Sequence, residues 1–337
     1  MTRRVIPYAL AIGLAIVAGC GSRPGATAAP PTSRPVPAGP LLLAQFHRGV
    51  GAIAAGSTDP VWTDPAAVAA LDGSAVFSVR NPAAGGQDLV RLDPETGEIT
   101  STWPVKAPTL SISAVSPKGQ WVALTDRAPG YGASQGRRAT TLVVFDTTSG
   151  IQTHSFTLTG DLQPEAFSVD GNSVFALDYH GDHYRVQTID LPTGGQWDTG
   201  GRDKTVERED MHGTSVRGVL NADHTLLATL YRNPGDAKQP AFVHILDLQN
   251  GWAYCADLPP PFGTGPVGSD RIDLTPADTV IVTADGAARV AEIHIDEVHQ
   301  PGSQPVTVEY RSATPATTAP APVVSAPGFG HVIATLG

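Results

Sequence analysis

The densest group of metal-binding and acid–base side chains in this 337-residue sequence is Asp178-Tyr179-His180-Gly181-Asp182-His183. Two imidazoles and two carboxylates within six positions suit zinc or a similar ion, because both donor types coordinate it when deprotonated. No His-Glu-x-x-His pair accompanies them, so a polar turn is the competing reading. A second pattern occurs three times, as Arg80-Asn81-Pro82, Arg127-Ala128-Pro129 and Arg232-Asn233-Pro234. Guanidinium groups that converge can grip a carboxylate or phosphate bidentately. Separately, each marks a strand exit at which proline stops the hydrogen-bond ladder. With the neighbouring acids, the candidate ligand-binding set is Arg80, Asp126, Arg127, Asp178, His180, His183, Arg232 and Asp285.

Covalent chemistry has little support. There is no Gly-x-Ser-x-Gly elbow, and Gly130-Tyr131-Gly132 lacks the later glycine and the helix that a phosphate cradle needs. No catalytic residue, resident metal or cofactor is assigned on these grounds. His244 and His294 alternate with apolar residues and read as structural. The charge run Asp203 to Asp210 reads as a solvated loop.

The N-terminus carries an address. Arg3 and Arg4 precede an apolar run from Val5 to Ala18, the layout of an export signal over residues 1–19. The run ends in Val17-Ala18-Gly19-Cys20, which resembles the bacterial lipobox. The resemblance implies that Cys20 is diacylated and becomes the first residue. Two buried acyl chains give stable anchoring where one does not. Residues 20–40 are rich in Pro, Ala and Gly and read as a tether. Loss of residues 1–19 leaves 20 basic against 32 acidic side chains and moves the net charge from −10 to −12. Such acidity argues against nucleic acid as a partner and against electrostatic attachment to anionic lipid. Cys255 then stands alone, which excludes an intramolecular disulfide and suits a small buried apolar side chain.

Residues 41–337 must supply the elements that position the candidate groups, and here a repeat is visible. An alternating apolar run followed by Asp, three residues and Gly recurs at Asp93/Gly97, Asp146/Gly150, Asp190/Gly194 and Asp247/Gly251. A weaker copy ends at Asp296, where His299-Gln300 replaces the glycine turn. Each copy predicts a third strand turning into a fourth. A turn and a β-rich run upstream of each supply the first and second strands. The 36 glycines and 30 prolines punctuate these units. Four strands in about 50 residues, repeated along a chain, specify an all-β propeller.

Six four-stranded blades are expected, or seven if 58–70 or 193–215 hides more strands. One blade joins the chain ends, with two strands near Val323–Ser325 and Gly330–Thr335 and two from Leu41–Gln45 and Val50–Ala55. The repeat grammar resembles the YVTN and WD40-like propeller families, although no blade has the Trp-Asp and Gly-His pairs of true WD40 repeats. The resemblance implies loops on one face that meet ligands around a central channel. The leading expectation is a lipid-anchored, extracytoplasmic propeller on the cell membrane that binds an envelope protein, peptide or glycan. The alternative is a metal-dependent hydrolase or lactonase with its site at the channel.

Overall fold

A computed structural model describes residues 40–46, 49–82, 85–107, 109–127, 134–201, 210–267, 269–284, 289–295, 306–312 and 329–336. Their strands form six sheets, each built on a four-stranded antiparallel meander; two of them gain a short fifth strand, and one takes its strands from both ends of the chain. Blade 2 comprises Val68–Ala69, Val76–Arg80, Gln87–Leu92 and Ile99–Val105. Blade 3 comprises Ser111–Val115, Trp121–Thr125, Ala139–Asp146 and Ile151–Thr159. Blade 4 is built from Leu162–Phe167, Ser173–His180, His183–Asp190 and Gln196–Asp198. Blade 5 follows with Thr214–Leu220, Leu226–Arg232, Ala241–Asp247 and Trp252–Leu258, and blade 6 with Arg271–Leu274, Thr279–Ala284, Arg289–Ile295 and Val306–Ser312. The first strands of blades 2, 3 and 4 touch in succession, as do those of blades 5 and 6, so the first strands lie innermost. The chain is a six-bladed β-propeller.

The turns after the third strands are built as their sequences dictate. In blade 3 the Gly150 amide donates to the Asp146 carbonyl at 2.9 Å, while the Asp146 carboxylate accepts the Thr148 and Ser149 amides. The same arrangement closes Asp93–Gly97 and Asp247–Gly251. An acceptor at the first position and a glycine at positive φ at the last are what the turn needs.

Blade 1 joins the two ends of the chain, but with a different division from the one expected. Phe329–Leu336 is its first strand, and Leu41–Phe46, Val50–Ala54 and Pro60–Asp64 are its second, third and fourth. Leu41 pairs with Leu336 and Leu43 with Ala334 across the junction. The division is one strand and three, not two and two. Gln45 does not occupy the aspartate position of a third strand. Its side chain donates to the Gly49 carbonyl at 2.8 Å and closes the turn from second to third strand. Residues 60–64 and 68–69 thereby complete blades 1 and 2, and none of the described strands is left over for a seventh blade. Val323–Ser325 lies outside the described residues.

Alternate residues of each strand enter cores on opposite sides of its blade. Leu227 and Tyr231 pack toward blade 4, whereas Ala228 and Leu230 pack toward blade 6. Between blades 2 and 3 the filling is mainly apolar, from Phe77 and Leu89 to Ile112, Leu124 and Phe145, with buried Gln87 bonded to the Leu110 amide and carbonyl. Aromatic rings of one blade also cover the turn glycines of the next. A Cβ on Gly97 would lie 2.7 Å from the Trp62 ring, one on Gly150 2.5 Å from Trp103, and one on Gly194 2.9 Å from Phe156. The fourth-to-fifth junction is sealed differently: Gly200–Gly201 leaves blade 4 and pairs in parallel with Trp252 and Ala253 of blade 5. Cys255 is half-buried there, 3.3 Å from the Met211 sulfur.

Candidate functional site

The loops from second to third strand and those between blades share one rim of the ring, and the predicted residues sit on it. They do not share one cavity. Arg80, at the end of its strand in blade 2, pairs with Asp64 at the end of blade 1, and its guanidinium also reaches Ser78 and the Val79 carbonyl. Burial pushes the Asp64 carboxyl up, but Arg80, the Ala66 amide and Ser78 outweigh it and hold the group below its ordinary value. Arg232 donates to the Gly263 carbonyl at 2.9 Å and to the Gly265 carbonyl at 2.7 Å, fastening the connection from blade 5 to blade 6. Asp126 pairs with Arg137 and accepts the Thr141 amide at 2.9 Å, which clamps the base of its own loop. Asp285 lies outside the described residues.

Arg127 is part of a buried network between blades 3 and 4. Its Nε lies 3.2 Å from Asp161 Oδ1, with both side chains 1% exposed. The guanidinium carbon sits 4.4 Å from the Tyr179 ring centroid. Burial pushes the Arg127 pKa down, against the pull of Asp161 and Tyr179. Burial likewise raises the Tyr179 hydroxyl to about 12, against Arg127. Asp161 accepts the Ser134 hydroxyl and the Gln135 amide, and its own amide donates to Asp178 Oδ1 at 3.2 Å. Asp178 is thus shared: its Oδ2 accepts Gln187 Nε2 at 2.9 Å and lies 3.0 Å from His180 Nε2.

Above this floor, the hairpin His180–His183 opens an imidazole–carboxylate patch. The rings of His180 and His183 stack at 6.0 Å, and His212 lies 5.8 Å from His183. His212 is brought there by a short strand, Met211–His212, that pairs with His183 and Tyr184. His183 Nδ1 lies 3.4 Å from Asp182, and its Nε2 3.5 Å from Asp210. Arg185 donates to Asp210 at 2.5 Å and is the main reason that the Asp210 carboxyl is held down. The hydrogen bond with His183 lowers Asp182 in the same way. The ring of His180 is half exposed. Asp178, His180 and His183 are therefore brought together, with Arg127 linked from below through Asp161, whereas Arg80 and Arg232 serve other seams. Among the described residues, donor atoms of three metal-binding side chains gather within 4.8 Å at Glu292, His294 and Glu309, not at this patch.

A further polar group, between blades 4 and 5, escaped the sequence reading. Glu165, on the innermost strand of blade 4, accepts the Tyr231 hydroxyl at 3.0 Å and lies 3.8 Å from His244 Nδ1. His244 is 1% exposed, and burial lowers its pKa against the opposing charge of Glu165. Burial raises the hydroxyls of Tyr184 and Tyr231. The available signal was a glutamate inside the otherwise weakly polar run Leu162–Phe167. Asp161 and Asp64 carried no such signal, since each lies in or beside a connection where acids are unremarkable.

No family model and no curated protein matches the chain. Solved structures do resemble it. A periplasmic gluconolactonase from Pseudomonas aeruginosa is 16% identical, with 81% of this chain aligned to 83% of that one at a TM-score of 0.45. The Cps50 (Swd1) β-propeller domain of Myceliophteria thermophila is 12% identical over 80% of this chain and 74% of its own, with a TM-score of 0.41. TolB from Acinetobacter baumannii is 14% identical over 76% of this chain, which spans 60% of the length of that protein, at a TM-score of 0.40. The propeller assignment rests on strand order and register. Neither activity nor ligand follows from likeness at this level.

Proposed function

We propose that the chain is an exported lipoprotein in which residues 1–19 are removed, Cys20 is acylated, residues 20–40 form a tether, and the propeller of residues 41–337 is a binding module of the cell envelope. Its contact surface is the rim of blade 4 around His180, Asp182, His183, Asp210 and His212. One observation carries the binding reading. The arginines best suited to grip an anion are spent on buried acids and on carbonyls between blades, while the imidazole–carboxylate patch above them stays accessible. The network under the patch fixes its loop, and a preorganised surface loses less freedom on binding. Loops on a rigid scaffold are where binding groups concentrate. The partner class is an envelope protein, peptide or glycan that offers hydrogen-bond donors and cations to Asp182 and Asp210.

Crosslinked pull-down from intact envelopes tests the surface. A variant with His180→Ala, Asp182→Ala and His183→Ala is expected to lose partners that the parent chain retains. The same partners in the same yield would overturn it. Fractionation tests the anchor: Cys20→Ala is expected to leave the membrane fraction, and a variant remaining wholly membrane-bound would refute acylation at that residue.

A further inference from the structure

Blade 6 departs from the Asp-to-Gly repeat in its sequence after the third strand. In blades 3 and 5 the third and fourth strands are connected by residues 147–150 and 248–251, through the Asp-to-Gly turn. In blade 6 the described strands end at Ile295 and resume at Val306, and the sequence carries His299-Gln300 where the glycine would stand.

Its register places two acids face to face. Glu292 pairs directly with Glu309, and His294 lies two positions along the same strand. Ala291 and Ile293 of that strand point into the core shared with blade 5, so Glu292 and His294 project from the other side of the sheet. Like charges directly opposite one another on adjacent strands repel. Arg311 neutralises part of this charge by donating to Glu292 Oε1 at 2.5 Å, through one oxygen only. Thr279 Oγ1 lies 3.4 Å from His294 Nδ1. With the ring proton on Nδ1 and donated to that hydroxyl, Nε2 presents its lone pair. An outer partner of this kind is what orients an imidazole for a metal.

We propose that Glu292, His294 and Glu309 form a zinc site that clamps the outer strands of blade 6. One donor atom from each of the three lies within 4.8 Å of the others. Modest rotamer changes bring such atoms to the about 3.4 Å separation of two ligands each about 2.1 Å from a tetrahedral zinc. The imidazole selects a borderline-soft transition ion over calcium or magnesium, which prefer all-oxygen shells. Three protein ligands leave the fourth position to water. The two carboxylates and the Arg311 guanidinium leave one negative charge for the dication to offset. The clamp ties Arg289–Ile295 to Val306–Ser312 across the strand pair. The site is independent of the blade 4 patch, so either can fail alone.

The test is a calorimetric titration of the untagged, chelator-treated full-length chain in detergent with zinc, then with calcium. One equivalent of zinc is expected, with affinity weakened about 10-fold or more in Glu309→Gln and in His294→Ala, and unchanged in the His180→Ala/His183→Ala double variant. Zinc should raise the thermal midpoint of the parent chain but not that of Glu309→Gln, whose exposed side chain can be changed without disturbing the fold. Circular dichroism checks that each variant remains β-rich. Zinc bound equally well by both site variants, binding lost only in the blade 4 double variant, calcium bound as tightly as zinc, or no zinc bound at all would each overturn the proposal.

Discussion

The junction between blades 2 and 3 and the junction between blades 4 and 5 are made from the same repeat, yet they are held differently. The first is a mainly apolar layer, with Gln87 fully paired to the Leu110 backbone and Trp103 lying over Gly150. The second inserts Glu165, Thr229, Tyr231 and His244 among its apolar residues and stitches the outer edge with a parallel strand pair. Apolar layers gain in proportion to the area removed from water and tolerate any contact of the right volume. Polar groups gain only when their partners are in place, and they are costly when a partner is lost. Regular junctions therefore give the ring its stability, while the polar junctions around blade 4 fix its geometry at the rim where the candidate surface lies.

The comparison can be broken most forcefully at Asp161. Asp161→Ala strips the acidic partner from Arg127 inside the protein and is expected to cost about 3–5 kcal/mol in a denaturant titration. A cost near zero would mean that the network has no structural weight. Next in size is the aromatic cover on the turns. Gly150→Ala meets both a positive φ and the Trp103 ring, and about 2–4 kcal/mol is expected. Gly251→Ala, where the nearest atom is 3.9 Å away, should cost about 1 kcal/mol from φ alone. Equal effects would remove the distinction between covered and uncovered turns.

What could be read in advance divides along the same line. The turns at Asp93, Asp146, Asp190 and Asp247 were legible because one carboxylate and one glycine, both local, dictate them. The closure was legible in kind but not in division. Leu41–Phe46 followed by Gly49 has the pattern of a third strand and a turn, and only its pairing with Phe329–Leu336 makes it a second. Within the candidate site, His180 and His183 were found through their density in sequence. Asp161, Glu165 and His212 were not, because their partners lie 34, 66 and 29 positions away and the register between blades decides the contacts.

A smaller effect sharpens the comparison through pH. His244 has its pKa depressed below 6.5 by burial, so the unfolded chain takes up a proton that the folded chain refuses. Stability should thus decline as pH falls through about 6.5 toward the depressed value, and this part of the decline should vanish in His244→Gln. A decline of equal slope in that variant would place its origin elsewhere. The carboxylates held low, Asp64, Asp146 and Asp170, lose their contribution only under more acid conditions, from their unfolded value of 3.8 downward. Smallest of all, Arg185→Ala at the exposed Asp210 pair is expected to leave the unfolding midpoint unmoved. A clear shift would show that the patch bears on stability.

The division of blade 1 sets the order of assembly. Three of its strands are made before every other strand described and the remaining one, the innermost Phe329–Leu336, after them all. Until that strand arrives, the edge of Leu41–Phe46 is open along the backbone groups that Leu336, Thr335 and Ala334 later engage. During synthesis the molecule is thus an unclosed arc, with a sticky seam along Leu41–Phe46. Anything that shields that seam in the interval acts as a chaperone, and a chain shortened by its last dozen residues keeps five complete blades but offers a permanent edge for pairing with another copy.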